Sequence, residues 1–415
     1  DDKNNFDILS DMYSYPSEAE ANAKYDGRPY IICEYQHTMG NSVGGLYNYI
    51  EVFENVERAQ GGFTWDMIDQ SLWTKPKKAF STTDKNFTVE PSGETLADGS
   101  TEYLAYGGQW GDQRNNGNFI ANGFVTADRE LRPEVAEIRY QYQNLKAKYD
   151  GETITLRNLN LFTDASEYTA TFSLHEDTKT LAENVPFTVD IPALSEGEID
   201  VPYEQYLPAE IKDGASYYLT LNFVRELASG CTETAFDQFE LEVGARDTIG
   251  KLTSELTDNL NVTEDDSAVN VSNDSLSVTI NKATGYITAY SYNGVDLIAD
   301  EDGPAPSLAR ALIGNFSNAA PVRTATSAFK NADLNPSNVN VAVNTAAGYV
   351  DVSVTSDLKG QSPCEITYRI MSDGNIRVTQ SVTPSTADTD FITQIGMKMT
   401  IPGEFETMTW YGRGS

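Results

Sequence analysis

The stretch YIICEYQHTMGNSVG, residues 30–44, decides the fold of the first part of the chain. It opens with four consecutive apolar residues, Tyr30–Cys33, a run that is too short for a helix core and typical of a parallel strand buried on both faces. The run stops at Glu34, and His37 follows in a loop that contains glycine. In a barrel of parallel strands the active site lies at the C-terminal ends of the strands, so Glu34 is a candidate active-site carboxylate. The alternative, on position alone, is a solvent-facing glutamate that happens to follow a strand.

A second short apolar and aromatic run, QGGFTWDMIDQ over residues 60–70, ends on carboxylates and an amide. Between the two runs, apolar residues recur at spacings of three and four, which predicts an amphipathic helix through Leu46, Tyr49, Ile50, Phe53 and Val56. Strand, helix and strand within about forty residues form a βαβ unit. Upstream, FDILSDMYSYP over residues 6–16 predicts another strand that ends near Tyr13. Three strand ends would then deliver Tyr13, Glu34 and Trp65 to one place, as in the last part of a (β/α)8 barrel.

Several separated blocks resemble the β-galactosidases of glycoside hydrolase family 2, the lactose-cleaving type. The blocks occur in the family's order with similar spacing, and they read CEYQHTMGNSVGG, GGFTWDMIDQSLW, AYGGQWGD and FIANGFVTADR. The resemblance is dense over residues 6–145 and weaker beyond, through INKATGYITAYSYNGVDLI and the terminal WYGRG. It implies hydrolysis of terminal β-D-galactosides such as lactose, since family members that cleave glucuronides or mannosides differ around the nucleophile. For the full-length protein it leaves a homo-oligomer possible.

The resemblance also implies roles for individual residues. Retaining glycosidases use two carboxylates about 5–5.5 Å apart, one as nucleophile and one as acid/base. Glu34 matches the nucleophile, and Tyr13 matches the tyrosine that donates a hydrogen bond to it. His37 matches a histidine that contacts the sugar, and Trp65 matches the tryptophan whose apolar face supports the galactose ring. The structural alternatives are a barrel-rim aromatic for Tyr13, a structural histidine for His37 and core packing for Trp65.

The family's acid/base and its main magnesium ligands lie on earlier barrel strands, outside these 415 residues, so the chain alone is expected to be nearly inactive. Two cations are implied for the full-length enzyme, Na⁺ and Mg²⁺. Asn122 matches the side-chain ligand of the sodium ion, and Phe119 matches the residue whose carbonyl oxygen binds the same ion. Asn115 matches a position near an outer magnesium ion. From spacing alone, Asn122 before a glycine would be a turn residue. Three nearby carboxylates are interpreted as structural hydrogen-bonding groups: Asp66, Asp69 and Asp112.

Composition and charge restrict the class of protein. At 415 residues the chain is expected to form two or three domains. Its 29 Lys and Arg against 62 Asp and Glu give a net charge of −33, which disfavours nucleic acid and anionic membranes as partners and favours a neutral substrate. A soluble acidic surface is the simpler interpretation of the same charge. No apolar run of about eighteen residues occurs, so no transmembrane helix is predicted.

Cysteine and histidine usage argues against two kinds of site. Cys33, Cys231 and Cys364 are far apart and odd in number, so no disulfide framework is implied. Cys33 is expected to be a small buried residue of its strand. The two histidines, His37 and His175, exclude a histidine-rich metal site within the chain. Low lysine with abundant Asn, Ser and Thr favours a secreted protein slightly over a cytoplasmic one.

Residues 1–145 are predicted to form the C-terminal part of the barrel. Leu131–Lys146 has helical spacing, with Pro133 suited to a first turn, and is interpreted as the closing helix. Ser81–Glu102 is rich in Ser, Thr, Gly and Asp, which predicts a loop over the barrel mouth. Because a barrel cannot start at its sixth strand, the N-terminus is expected to be an artificial cut.

Residues 146–245 are predicted to form an immunoglobulin-like β-sandwich, because apolar and polar residues alternate in short runs with regular turns. Residues 246–267 are polar and predict a linker or an outer strand. The inward faces are read from alternating residues in three runs: Tyr168, Ala170, Phe172 and Leu174; Tyr217, Leu219, Leu221 and Phe223; and, with one slip, Phe236, Phe239, Leu241 and Val243.

Residues 268–415 are predicted to form the N-terminal part of a larger, incomplete β-sandwich. Hairpin turns are expected at Thr284-Gly285 and Asn293-Gly294. The family usually has Arg-Ala-Pro followed by acidic residues near the start of this domain, whereas the chain reads RALIGN over Arg310–Asn315. This difference gives no ground to expect the loop at the active site.

Two hypotheses of different classes follow for the function. The first is part of a retaining β-galactosidase, with another exo-glycosidase such as a β-fucosidase or β-glucosidase as a weaker rival. The second is a non-catalytic polypeptide whose β-sandwiches serve assembly or carbohydrate contact, with Glu34 as a relic.

Overall fold

The computed structural model describes residues 6–74, 102–109, 114–212, 214–244, 256, 258–317, 320–330, 333–358, 362–383 and 392–409. Three apolar cores divide them into a barrel segment (residues 6–142), a sandwich (residues 145–243) and a C-terminal β-region (residues 258–409). Alternating strands and helices are thus followed by two almost entirely β parts, which confirms the predicted fold class. Within the described ranges, no helix has the length and apolar character needed to cross a membrane.

The barrel segment begins with three parallel strands in the order β1–β2–β3, connected by helices. The elements are β1 (Leu9–Met12), α1 (Pro16–Ala23), β2 (Tyr30–Tyr35), α2 (Leu46–Asn55) and β3 (Ala59–Thr64). Leu46 and Ile50 of α2 are buried in the same core as Tyr30 and Ile32 of β2. The predicted βαβ unit is therefore present, and its apolar stripe is the face that joins the helix to the sheet.

The strand β2 is not buried on both faces. Tyr30 and Ile32 are buried, but Ile31 is half-buried and Cys33 is exposed. Alternate residues of a strand point to opposite faces, so only the face turned towards the helices is covered by the described residues. The expectation of a doubly buried strand with Cys33 in the core is wrong for this structure.

The rest of the barrel segment contains a short antiparallel pair and one more helix. These elements are β4 (Leu72–Thr74), β5 (Tyr103–Ala105) and α3 (Glu134–Gln141). Pro133 immediately precedes α3, as expected for a first turn. The helix is shorter than predicted, because Leu145 already belongs to the first strand of the sandwich and is fully buried in its core. The proposed mouth loop lies outside the described residues, apart from Glu102.

The sandwich consists of two antiparallel sheets with strand orders β10–β7–β6 and β12–β11–β8–β9. Phe172, Leu219 and Phe223 are fully buried between them, as their alternation predicts. The strands are β6 (Leu145–Tyr149), β7 (Ile154–Asn158), β8 (Thr169–Glu176), β9 (Lys179–Phe187), β10 (Ser195–Glu198), β11 (Tyr217–Glu226) and β12 (Thr232–Leu241).

Strand β12 turns the predicted face inward at Phe239, Leu241 and Val243, but not at Phe236. Ala235 and Asp237 are buried, whereas Phe236 is 40% exposed and packs on Tyr140 of α3 with ring centroids 5.4 Å apart. The Asp237 carboxylate accepts hydrogen bonds from the Tyr140 hydroxyl at 2.8 Å and from the Ala147 backbone N–H at 2.6 Å. These partners compensate the burial of the carboxylate, which an alternation of apolar residues alone does not reveal.

The C-terminal β-region has two larger antiparallel sheets, β13–β14–β15–β16–β17 and β19–β20–β21–β22, and a separate pair β18–β23. Its single described α-helix, α4, was not predicted. The elements are β13 (Asn261–Glu264), β14 (Ala268–Ser272), β15 (Leu276–Asn281), β16 (Ile287–Tyr292), β17 (Val295–Asp296), β18 (Ala305–Ser307), α4 (Ala320–Phe329), β19 (Asn340–Ala346), β20 (Tyr349–Leu358), β21 (Ser362–Met371), β22 (Ile376–Val382) and β23 (Gly396–Lys398).

Both predicted hairpin turns of this region are present. Gly285, Asn293 and Gly294 have φ values of 77°, 50° and 78°, the left-handed conformation that tight hairpin turns require. In the predicted linker, Asn261–Glu264 is the outer strand β13, and residues 245–255 lie outside the described ranges.

Candidate active site

Three candidate residues lie at one edge of the parallel sheet. Tyr13 directly follows β1, Glu34 is the penultimate residue of β2, and Trp65 directly follows β3. Because the strands are parallel, these positions share the C-terminal edge. Backbone hydrogen bonds connect the three strand ends: Tyr13 N–H donates to the Glu34 carbonyl at 2.8 Å, and Trp65 N–H donates to the Tyr35 carbonyl at 2.9 Å.

The side chains of Tyr13 and Glu34 interact directly. Tyr13 has a φ of 56° and is 39% exposed. Burial, a hydrogen-bonding interaction with the Glu34 carboxylate and the negative charge of Glu34 raise the pKa of Tyr13 above its ordinary value. Tyr13 therefore stays protonated at neutral pH and can donate to Glu34, which is itself half-buried.

His37 lies between aromatic rings and amides. Its ring centroid is 6.1 Å from that of Tyr13 and 5.7 Å from that of Phe119. Its Nδ1 is 2.6 Å from Asn315 Oδ1, and its Nε2 is 3.4 Å from Asn122 Nδ2. The expected sugar-contacting histidine is thus joined to the Tyr13–Glu34 pair and to the expected sodium ligands.

The two expected sodium ligands are adjacent. Asn122 is 2% exposed, and its Nδ2 donates to the Phe119 carbonyl at 2.6 Å. Its Oδ1 is buried with no hydrogen-bond partner among the described residues, a state that costs about 1–3 kcal/mol when nothing binds the atom. Rotating the amide would bring Oδ1 beside the Phe119 carbonyl oxygen, and two such oxygens suit a hard cation. These residues therefore fit a sodium ion.

Asn115 is part of a local turn. Its Oδ1 accepts a hydrogen bond from the Gly117 N–H at 3.0 Å, and its side chain packs closely against Gly107 and Gly108. Within the described ranges, no three His, Cys, Asp or Glu side chains cluster as a metal site. A role for Asn115 near magnesium stays a prediction.

The neighbouring carboxylates differ from one another. Asp69 is 6% exposed, accepts from the Gly123 N–H at 2.8 Å and forms an ion pair with Arg132, the structural role expected of it. Asp66 accepts from Gln70 Nε2 at 2.9 Å through one oxygen, while its Oδ1 is buried without a partner. Burial is the main cause that raises the pKa of Asp66. Asp112 lies outside the described residues.

Asn315 was not among the site residues predicted from the sequence. Its loop lies directly against the loop that follows Glu34: a Cβ added to Gly314 would lie 2.3 Å from the Met39 carbonyl oxygen and 2.9 Å from the Cα of Gly40. Both glycines have positive φ, 72° at Gly40 and 55° at Gly314, so neither position suits a side chain. The only signal in RALIGN is a Gly-Asn pair, which is common in turns and does not point to a contact with His37.

Family models match the chain in three consecutive segments. Residues 3–147 match "Glycosyl hydrolases family 2, TIM barrel domain". Residues 154–242 match "Beta-galactosidase, domain 4", and residues 272–415 match "Beta galactosidase small chain". The three segments correspond to the barrel segment, the sandwich and the C-terminal β-region.

Curated relatives match nearly the whole chain. A β-galactosidase of Priestia megaterium is 30% identical over 98% of this chain and 37% of its own length. A β-galactosidase of Halalkalibacterium halodurans is 29% identical over 98% of this chain and 38% of its own length. A solved exo-β-D-glucosaminidase, CsxA, is 14% identical over 63% of this chain and 29% of that chain, but its TM-score of 0.21 is too low to carry an argument. The chain thus spans under two fifths of the length of these two curated relatives. The ordered domain matches and these relatives show that the chain belongs to glycosyl hydrolase family 2.

Proposed function

We propose that the chain carries the nucleophile of a retaining β-galactosidase, which removes terminal non-reducing β-D-galactose from galactosides such as lactose. The observation that carries the proposal is the position of Glu34 at the C-terminal edge of the sheet, beside Tyr13, whose pKa the Glu34 carboxylate raises and whose ring lies 6.1 Å from that of His37. The names of the curated relatives support the galactoside as substrate.

In the proposed mechanism Glu34 attacks the anomeric carbon and forms a covalent ester with galactose. The glycosidic bond breaks with its electron pair leaving on the aglycone oxygen, which takes a proton from the acid/base carboxyl. The same acid/base then removes a proton from water, and the resulting attack releases galactose with retained configuration and regenerates Glu34.

Tyr13, His37 and Trp65 are proposed to support this displacement. The Tyr13 hydroxyl donates to Glu34, which orients the carboxylate and stabilises it as a leaving group in the second step. His37 contacts a sugar hydroxyl, and the Trp65 ring covers the apolar face of the galactose ring.

Phe119 and Asn122 would hold a sodium ion through the carbonyl oxygen and Oδ1. The buried Oδ1 without a partner is the feature that favours this assignment. When bound, such an ion supplies a fixed positive charge that attracts sugar hydroxyl oxygens. Asn115 is proposed to lie near an outer magnesium ion whose main ligands are outside these 415 residues.

The proposal places the acid/base carboxyl on barrel strands 1 to 5, outside the 415 residues, so the chain alone should be nearly inactive. The test mixes the chain with a polypeptide bearing those strands and measures hydrolysis of a chromogenic β-galactoside. Size-exclusion chromatography verifies that the two polypeptides associate. We expect activity from the associated pair and close to none from either part.

Two results would contradict the proposal. A soluble, associated pair without hydrolysis would favour the non-catalytic hypothesis, in which the sandwiches serve assembly. Activity on β-fucosides or β-glucosides in preference to β-galactosides would support a glycosidase but contradict the galactoside as its substrate. A panel of chromogenic glycosides distinguishes these two results.

A further inference from the structure

Asn315, which lies 278 positions away in the C-terminal β-region, forms two hydrogen bonds with His37. Asn315 Oδ1 lies 2.6 Å from His37 Nδ1, and Asn315 Nδ2 donates to the backbone carbonyl of the same His37. One amide thus contacts both the ring and the main chain of one histidine. The close approach of Gly40 and Gly314 keeps the two loops in register for this contact.

The double contact determines which nitrogen of His37 carries the proton. The His37 carbonyl can only accept, so the Asn315 atom that faces it must be the donor, Nδ2. The atom that faces the ring is then Oδ1, which can only accept, and Nδ1 must supply the hydrogen. The usual ambiguity between the oxygen and nitrogen of an amide is therefore removed by the chemistry of its partners.

The other ring nitrogen agrees with this assignment. In the neutral ring with a proton on Nδ1, Nε2 has a free lone pair and accepts hydrogen bonds. Asn122 Nδ2, a donor, is the atom that faces it at 3.4 Å. This partner matches the same tautomer only in the amide orientation that donates to Phe119. Rotated to bind sodium, the amide would turn Oδ1 towards Nε2, so the assignment rests on the two Asn315 contacts.

We infer that Asn315 is a positioning residue that holds His37 as the Nδ1-protonated tautomer, so that Nε2 is presented to the site as a hydrogen-bond acceptor. We expect Nε2 to accept a hydrogen bond from a sugar hydroxyl of the substrate. This last step rests on the proposed function. An amide suits the task because it fixes the proton without adding the negative charge by which a carboxylate would stabilise the imidazolium.

The tautomer is measurable without any activity. The chain contains only two histidines, so long-range ¹H–¹⁵N spectra of [¹⁵N]histidine-labelled chain at neutral or mildly alkaline pH give two imidazole patterns, and His175→Gln assigns them. We expect His37 Nδ1 to show the shift of a protonated ring nitrogen and Nε2 that of an unprotonated one. The opposite pattern in the unmodified chain would overturn the inference.

Substitution then tests whether Asn315 causes the preference. Asn315→Leu removes acceptor and donor at similar size, and we expect the two His37 nitrogen shifts to move towards each other as the tautomers mix. Asn315→Asp restores an acceptor and should again place a proton on Nδ1. The control Asn344→Leu makes the same change at an exposed position of β19 and should leave the spectrum unaltered. An unchanged pattern in Asn315→Leu would overturn the inference, and the unmodified chain still decides the tautomer if that variant fails to fold.

Kinetics of the complemented enzyme separate this inference from the proposed function. Loss of one oriented hydrogen bond to the sugar should raise KM about tenfold in Asn315→Leu, with kcat changed less. An inactive complemented pair would refute the galactosidase while leaving the tautomer result intact. An active pair whose KM is unchanged in Asn315→Leu would refute the role of Asn315 towards substrate.

Discussion

The sandwich and the candidate active site treat their buried polar atoms in opposite ways. In the sandwich, Asn158 Nδ2 donates to the carbonyls of Thr163 and Ile191, both at 2.9 Å, and its Oδ1 accepts from the N–H of Asn160 at 3.0 Å. Across the described ranges 145–212 and 214–243, every buried side-chain polar atom of a residue that is not exposed has a protein partner. In the site, Asp66 Oδ1 and Asn122 Oδ1 are buried without one.

This difference indicates what each region is built for. An unsatisfied buried acceptor costs about 1–3 kcal/mol, and the described sandwich contains none, whereas the site has two and the C-terminal β-region has Asp357 Oδ1 and Gln380 Oε1. Such costs are concentrated at sites where a ligand, an ion or a reacting group completes the hydrogen bonding. Stability should therefore depend chiefly on the sandwich, and chemistry on the site.

The largest expected effect is a loss of kcat on substitution at the candidate active site. In the complemented enzyme Glu34→Gln keeps the size of the side chain but removes the anionic nucleophile. We expect kcat to fall by about 10⁴-fold or more, about 5.4 kcal/mol of activation free energy, with an unchanged thermal unfolding midpoint.

The matched control is Glu196→Gln, at an exposed position of β10 in the sandwich. It makes the same chemical change and should leave both quantities as they are. Near-normal turnover of Glu34→Gln would remove Glu34 from the chemistry.

The second-largest expected effect is on the free energy of unfolding, with catalytic activity unchanged. Phe223 is fully buried in the sandwich, and Phe223→Ala should lower the free energy of unfolding by about 3–5 kcal/mol through lost burial and a cavity. Urea unfolding measures this change, and Phe162→Ala, at a side chain that is 93% exposed, is the control. If kcat per folded molecule fell as well, the sandwich would not be separable from the site.

Tyr13→Phe should have an intermediate effect on activity. It removes the hydroxyl that donates to Glu34 while keeping the ring beside His37. A hydrogen bond to a charged group contributes about 1.5–3 kcal/mol, which corresponds to a fall in kcat of about 10- to 160-fold. Tyr47→Phe, on the exposed side of α2, should have no effect. Equal kcat values for the two variants would show that the Tyr13 hydroxyl plays no part.

The smallest effect concerns the pH dependence of stability at the sandwich. Burial raises the pKa of Asp237 above its ordinary value of 3.8, so the folded state binds a proton more tightly than the unfolded state. This contribution is fully present below the unfolded pKa and is lost as pH rises through the folded pKa. The unfolding free energy of the unmodified chain minus that of Asp237→Asn should therefore shrink as pH rises from about 4, by about 1.4 kcal/mol for each tenfold difference in proton affinity between the folded and unfolded states. Urea unfolding at a series of pH values measures this difference, and a value that stays constant would contradict the raised pKa.

Local periodicity made much of the fold predictable. The spacing of Leu46, Ile50 and their neighbours identified α2, and alternation identified β8, β11 and both C-terminal hairpins. Periodicity failed where the residues that pack against one face of a strand are distant in the sequence. Phe236 was assigned to the inner face because it is apolar, yet the inner position belongs to Asp237, whose partners are on α3 and β6.

The sequence by itself determined most element types, α4 excepted, and the order of the three parts. It also determined the proximity of Tyr13 and Glu34, because strand ends of one parallel sheet must share an edge. Only the tertiary structure decided that Cys33 is exposed, that Asn122 Oδ1 is buried without a partner and that Asn315 is hydrogen-bonded to His37. The physical reason is one of range. Strand and helix patterns record the solvent exposure of a residue relative to its near neighbours, whereas a hydrogen bond across 278 residues depends on how two separately folded regions pack.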